Sequence, residues 1–294
     1  MNQTFASLLP LNALSDGFEE LTPEMKKAAR FVMENPQEVG VSTVREIAEA
    51  AEVNPNTFVR MARYLGYESY ENFRTPFREA IRAGFAGFPD RARWLQSIRK
   101  SGNMGGLYAD MLHSAINNLE ATFAAISEPQ IRAAAEAIWN ARNVYTLGVG
   151  VNNSIARNFT YLASTGMMQF HAIPRAGSVA TDDLAWADER DLLIAITHAP
   201  YRSEVVNAVA VAREQGVQVI GISDSPASPI ILGSEYGFVT SVETPQFFPS
   251  SIATIALLET LLSFVIASAS DEIISRVEKF HQRRHQLGLY KGDE

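Results

Sequence analysis

Residues 144–164 read VYTLGVGVNNSIARNFTYLAS. The first four are apolar or β-branched and suit a buried strand, Gly148-Val149-Gly150 makes a tight turn, and a helical pattern follows from about residue 152 to 163. Four more runs of the strand type lie downstream, at 168–173, 192–197, 217–222 and 238–242, with helical patterns between most of them. This alternation predicts an α/β fold: a doubly wound parallel sheet of five strands, helices on both faces, and ligand loops at the carboxyl ends of the strands. A helix over about 107–126 leads into the sheet, another over 252–267 follows it, and 271–294 reads as an amphipathic helical tail exposing Arg276, Arg283 and Arg284.

The chain has 294 residues, 47% of them apolar, enough for two domains with real cores. Its net charge of −8 excludes nucleic-acid binding by bulk charge. Without cysteine there is no disulfide framework, thiolate metal site or cysteine nucleophile, and the five histidines form no metal-binding spacing. We therefore expect no metal, no cofactor and no catalytic residue. The first ten residues lack a basic, apolar leader pattern, and Glu259 interrupts the apolar segment 252–269, so a cytoplasmic protein with a buried helix there is expected, not a membrane span.

Upstream of the sheet the chain reads as helices only. Thr22-Pro23-Glu24 opens one that ends near Asn35-Pro36; Ser42-Thr43, with Glu46 as the capping-box partner, opens a short second; Asn54-Pro55 opens a third that Gly66 stops. The result is helix, tight turn, helix. A helix-turn-helix lays its second helix in the DNA major groove, and Asn56, Thr57, Arg60 and Arg63 on that helix suit base edges and phosphates, with Ser42, Thr43 and Asn54 at the helix starts beside them. Locally, residues 60–100 hold nine basic side chains against four acidic ones. A small helical bundle with merely solvated arginines fits the same spacing. Gly84, Gly87, Pro89, Gly102, Gly105 and Gly106, around a possible short helix at 90–98, mark a linker.

Two loops are candidate ligand sites. The first is Gly148 to Ser154, where Gly150, Asn152, Asn153 and Ser154 open a helix; a third spaced glycine is missing, so NAD binding is not indicated. The second is Thr197-His198-Ala199-Pro200-Tyr201-Arg202-Ser203-Glu204 after the most apolar strand. Ser250 and Ser251 either add hydroxyls to a ligand or cap the helix they precede. His171 reads as structural, Asp182 and Asp183 as partners of a helix dipole, and Met167-Met168 as core or interface.

The runs LTPEMKKAARFVMENP, STVREIAEAAEVNPNTFVRMARYLGY and YENFR resemble the N-terminal domain of RpiR-family bacterial transcription regulators, with Asn54 where the family usually has Ser. The segment 128–268 resembles the sugar isomerase (SIS) domain, a phosphosugar-binding module that those regulators carry behind the helix-turn-helix. Two departures stand out. Asn152 occupies the Ser position of G-x-G-x-S, and Thr197, Ala199, Pro200, Arg202 and Glu204 stand where S-x-S-G-x-T-x-E is usual, so two phosphate hydrogen bonds are lost and Arg202 and His198 are the cationic donors on offer. The resemblance implies a DNA-binding regulator, a repressor of a carbohydrate or related catabolic operon, with a helix-turn-helix domain over 1–84, a linker and connecting helix over 85–127, an SIS domain over 128–270 and a tail over 271–294. Its partners would be operator DNA, a small sugar phosphate, sugar, polyol or acid, and a second copy or three more in a homodimer or homotetramer. Two rival readings are a sugar-phosphate isomerase using Glu204 or a histidine as base, and a metabolite sensor that acts through a protein partner without binding DNA.

Overall fold

The computed structural model describes residues 10, 13, 14, 17–82, 88–101 and 104–290. They divide into two compact units, one formed by the described residues up to Ile116 together with Glu243–Ser250, the other by Asn117–Val242 and the described residues from Ser251.

The first unit is helical: α1 (Pro23–Glu34), α2 (Pro36–Val41), α3 (Val44–Ala50), α4 (Pro55–Tyr64), α5 (Tyr70–Arg82), α6 (Phe88–Ser101) and the first part of α7 (Met104–Ala125). The three helix starts read from the sequence are present with their caps. Thr22 Oγ1 accepts the Met25 N–H at 3.4 Å, Thr43 and Glu46 form the reciprocal capping box at 3.3 and 2.7 Å, and Asn54 Oδ1 accepts the Asn56 N–H at 2.9 Å. Between α3 and α4, Glu52 adopts φ +53°, a left-handed conformation that side chains resist. Phe58 and Met61 of α4 and Phe73 and Phe77 of α5 are fully buried, and the Phe58 ring meets Phe31 and Tyr70 edge-on at 6.5 and 6.1 Å.

Helix α2 is not evident in the sequence, being six residues long and containing Gly40. Tertiary contact completes it, since Arg74 on α5 donates from Nε to Val39 O at 3.0 Å and from Nη2 to Gly40 O at 3.1 Å, satisfying carbonyls at its C-terminal end. Helix α6 exceeds the short helix expected at 90–98. Arg91, Trp94 and Ile98 bury one side of it; Trp94 and Ile98 pack with Val41, and Arg91 Nη2 donates to Thr244 O at 2.6 Å. The linker glycines Gly84, Gly87 and Gly102 lie outside the described residues.

The second unit carries α8 (Glu128–Asn140), β1 (Val144–Gly148), α9 (Val151–Ser164), β2 (Phe170–Ile173), α10 (Ala180–Asp183), β3 (Leu192–Ile196), α11 (Ser203–Glu214), β4 (Gln218–Ser223), β5 (Tyr236–Val239), α12 (Ile252–Ala267) and α13 (Asp271–Gln286). All five strands are parallel in the order β2-β1-β3-β4-β5. Alternate residues of the central strand β3 serve opposite layers: Leu192, Ile194 and Ile196 pack with α8, α9 and α12, while Leu193 and Ala195 pack with Leu184 and α11. The strands at the two edges are shifted from expectation. β2 begins at Phe170, leaving Met168 exposed while Met167 is buried, and β5 begins at Tyr236 because pairing places that residue opposite Ile220. The tail helix α13 packs on its own unit, where a Cβ on Gly166 would lie 2.7 Å from Val277. No single described helix is long and apolar enough to cross a membrane, and α12 buries Leu257, Leu258, Leu261 and Val265 in the core.

At the amino ends of β1 and β3 the buried carboxylate of Asp191 accepts from Arg142 Nε at 2.9 Å and from its Nη2, from Asn143 N at 3.2 Å, from Asn143 Nδ2 at 2.9 Å and from Asp188 N at 3.0 Å. Burial pushes the pKa of this carboxyl up, but the hydrogen bonds from Arg142, Asp188 and Asn143 outweigh it and hold the pKa below the ordinary value. Asp191→Ala removes the shared acceptor of several part-buried donors and should cost about 3 kcal/mol in urea unfolding at neutral pH. The folded pKa is lowered, so the contribution is present above the unfolded pKa near 4 and is lost as the pH falls below it; the gap between wild type and variant should narrow below about pH 4.

Candidate functional site

Helix α4 presents Asn56, Arg60 and Arg63 on one exposed face, at spacings of four and three residues. Arg60 and Arg63 make no hydrogen bond or ion pair with the described residues, which leaves both guanidinium groups available to an outside anion. Thr57 requires a correction. It is 7% exposed and belongs to the inward face with Phe58, one helical step away from the polar stripe. The hydroxyls of Ser42 and Thr43 and the amide of Asn54 are engaged locally, Ser42 with Glu38 at 3.1 Å and the other two in the caps described above. They shape the helix starts. Arg45 on α3 is exposed as well, and was missed because the sequence pattern gave it no role beyond the amphipathic helix.

In the second unit the chain leaves β1 toward β2 and returns to β3 on the other side, so the loops after β1 and β3 part at a topological switch point. The first loop is tightly built. A Cβ on Gly148 would lie 2.1 Å from Asn152 O, and Gly150 has φ +62°, so both glycines are required by the turn. Asn153 Nδ2 donates to Gly148 O at 3.0 Å, Arg157 Nε donates to Asn153 Oδ1 at 2.9 Å, and Ser154 Oγ donates to Val151 O at 2.8 Å. Asn152 is buried and its Oδ1 has no partner.

The second loop is closed upon itself. Thr197 Oγ1 accepts the Arg202 N–H at 3.2 Å, Ala199 N donates to Asp224 Oδ1 at 3.1 Å, and Ser223 Oγ donates to Thr197 O at 2.6 Å. Arg202 forms a two-pronged pair with Glu204, Nε at 3.1 Å and Nη2 at 2.8 Å, which holds the Glu204 carboxyl below its ordinary pKa. His198 is buried, with Nε2 within 3.3 Å of Thr240 Oγ1 and 3.2 Å of Thr254 Oγ1, and desolvation lowers its pKa. Of the two cationic donors expected here, Arg202 is ion-paired with Glu204 and half-exposed, whereas His198 is buried and its desolvation disfavours the charged form. Tyr201 stands half-buried; burial first and the Asp224 charge second push its phenol up.

Asp224, Ser223, Thr240 and Thr254 complete this end of the sheet and were missed from the sequence. Position after β4 was the available signal for Asp224. Ser251 precedes α12 without a side-chain capping bond, and Ser250 is buried in the first unit. His171 is a surface residue, its Nε2 3.2 Å from Asn143 Oδ1, and Asp183 clasps its own loop by accepting from Arg175 N and Nε at 2.7 Å and Ser178 Oγ at 2.9 Å. Among the described residues no group of three or more potential ligands is placed to hold a metal ion.

A helix-turn-helix with unpaired arginines, followed by a five-stranded sheet of sugar-isomerase type, defines a two-part transcription regulator. The family model for the helix-turn-helix domain of the rpiR family matches residues 9–90, and the SIS domain model matches 137–264. The chain belongs to the RpiR family of HTH-type transcriptional regulators. An HTH-type transcriptional regulator of Clostridium perfringens is 23% identical over 267 residues, covering 87% of this chain and 91% of that one. The sugar isomerase domain of an RpiR transcription factor from Sphaerobacter thermophilus superposes with TM-score 0.56 at 24% identity, over 60% of this chain and 98% of that one. The Vibrio vulnificus NanR protein, solved with ManNAc-6P, gives TM-score 0.54 at 19% identity over 94% of this chain and 98% of that one.

Because the folded pKa of His198 is depressed below its ordinary 6.5, the unfolded chain takes up a proton that the folded chain refuses, and stability should fall as the pH drops below about 6.5. His198→Gln should shrink the difference in urea midpoint between pH 7.5 and 5.5; an undiminished difference rules out this imidazole as the source.

Proposed function

We propose that this regulator is a repressor of a carbohydrate or related catabolic operon, acting in the cytoplasm as a homodimer or homotetramer. Paired copies of α4 enter successive major grooves, with Arg60 and Arg63 on base edges or phosphates and Asn56 beside them. A small polyol or anionic metabolite, seated among the loops after β1, β3 and β4, shifts the affinity for operator DNA, and DNA shifts the affinity for the metabolite by the same factor. The observation that carries the reading is the pair of exposed, unpartnered guanidinium groups on one face of α4 in a chain of net charge −8.

Catalysis is not part of this proposal. An isomerase base needs a pKa near the working pH, whereas Arg202 holds the Glu204 carboxyl low, and the imidazole of His198 is tied at Nε2 to two threonines.

The test is a gel-shift titration on the DNA upstream of the gene, with and without candidate metabolites. Arg60→Ala or Arg63→Ala should each weaken binding by about 1–3 kcal/mol where the arginine reads a base, or lower the salt slope by about one where it meets a phosphate. Unchanged affinity and unchanged slope in both variants would move the regulatory contact away from α4 and favour action through a protein partner.

A further inference from the structure

The last turns of α13 carry a histidine pair that neither the strand-end loops nor the exposed face of α4 uses. The histidines match none of the sequence motifs of resident metal sites, but a helix stacks residues four apart on one face, and His281 and His285 are both exposed there. Their Nε2 atoms lie 2.8 Å apart, with the ring centroids at 4.4 Å. The chain beyond the helix holds the rings in place. Gly288 adopts φ +64°, Leu289 N donates to Arg284 O at 3.1 Å, and this return brings the Tyr290 ring to 5.7 Å from His281 and 4.7 Å from His285. The neighbouring guanidinium groups are turned to other partners: Arg284 lies over the Phe280 and Tyr290 rings at 5.6 and 4.9 Å, and Arg283 donates to Gln286 Oε1 at 3.3 Å.

Two imidazole nitrogens at this separation either share one proton or share a cation. A metal–nitrogen bond is about 2.0–2.1 Å long, so two nitrogens bound at a right angle to one ion stand about 2.9 Å apart, and at the tetrahedral angle about 3.3 Å. The observed 2.8 Å is close to the right-angled bite that tetragonal and octahedral ions take. The place suits a cation as well. It lies at the carboxyl end of a 16-residue helix, where the macrodipole is negative, and the exposed carboxylate of Glu278 stands one turn before His281.

We propose that His281 and His285 form a two-nitrogen chelate for a divalent late transition-metal ion, Cu²⁺ or Ni²⁺ ahead of Zn²⁺, with water completing the coordination sphere. Among the described residues no third potential ligand joins them, so the site is an exchangeable one at the surface. A bound ion ties two successive turns together and stiffens the end of the tail helix.

The experiment is calorimetric titration of the untagged, full-length chain with Ni²⁺, and with Mg²⁺ for comparison, in a buffer that does not chelate. The chain should take up one Ni²⁺ and no Mg²⁺, because imidazole suits the first ion and the second prefers carboxylate and water. His281→Ala and His285→Ala each remove half of the chelate and should weaken Ni²⁺ binding about a hundredfold. His113→Ala, at an exposed histidine on α7, should leave it unchanged. Both tail substitutions lie on the surface and should keep the metal-free urea midpoint, which separates a lost site from a lost fold. Electron paramagnetic resonance of the Cu²⁺-loaded chain should show coupling to a pair of imidazole nitrogens, reduced to a single one by either tail substitution. Absence of Ni²⁺ uptake, uptake that survives both tail substitutions, or one ion held between two chains overturns the proposal.

Discussion

The carboxylate of Asp191 is the point from which the second unit is laid out. It is buried, a costly place for a negative charge, and it is kept there by the Arg142 guanidinium and by N–H groups of Asn143 and Asp188 that have no better acceptor. Because Arg142 and Asn143 precede β1 and the carboxylate precedes β3, Val144 is brought opposite Leu192, and four residues later the strands end together at Gly148 and Ile196. The two loops therefore leave the sheet from one edge, and the outward path of the chain to β2 draws them apart. The crevice is the consequence of a hydrogen-bond cluster at the far end of the same two strands.

Arg60 and Arg63 differ from several arginines of the sheet unit in their pairing. In the sheet unit Arg142, Arg175, Arg190 and Arg202 are each bonded to a carboxylate, and the sequence from residue 101 onward carries the whole negative excess. In the helical unit Arg60 and Arg63 stand exposed and unpaired. An anionic polymer is thus offered unpaired cations on α4, so that its contact is local and does not depend on overall charge.

Most of the fold was legible because it rests on short-range rules. Thr22-Pro23, Thr43 with Glu46 and Asn54-Pro55 fixed three helix starts through caps that need only neighbouring residues, and the β-branched runs marked all five strands. What was not legible depends on partners distant in sequence. Helix α2 relies on Arg74, some 34 residues away, and the extent of β5 is set by its pairing with β4. The site shows the same division. The glycines and apolar runs placed both loops at strand ends, whereas the burial of Thr57, the Arg202–Glu204 ion pair and the burial of His198 beside Thr240 and Thr254 come from packing that no sequence pattern displays.

The segment Glu243–Ser250 belongs with the helical unit although the strand before it and the helix after it belong to the sheet. Its carbonyl at Thr244 satisfies the buried Arg91. In terms of descent, the two modules cannot be traded by a single crossover. A recombinant joined between α6 and α8 would bring a foreign 243–250 segment against a resident Arg91, whose acceptor is a main-chain carbonyl and so depends on the path of that segment rather than on its side chains. Exchange of effector domains would therefore have to keep the backbone path of 243–250 beside α6, whereas change at loops such as 197–204 leaves that contact untouched.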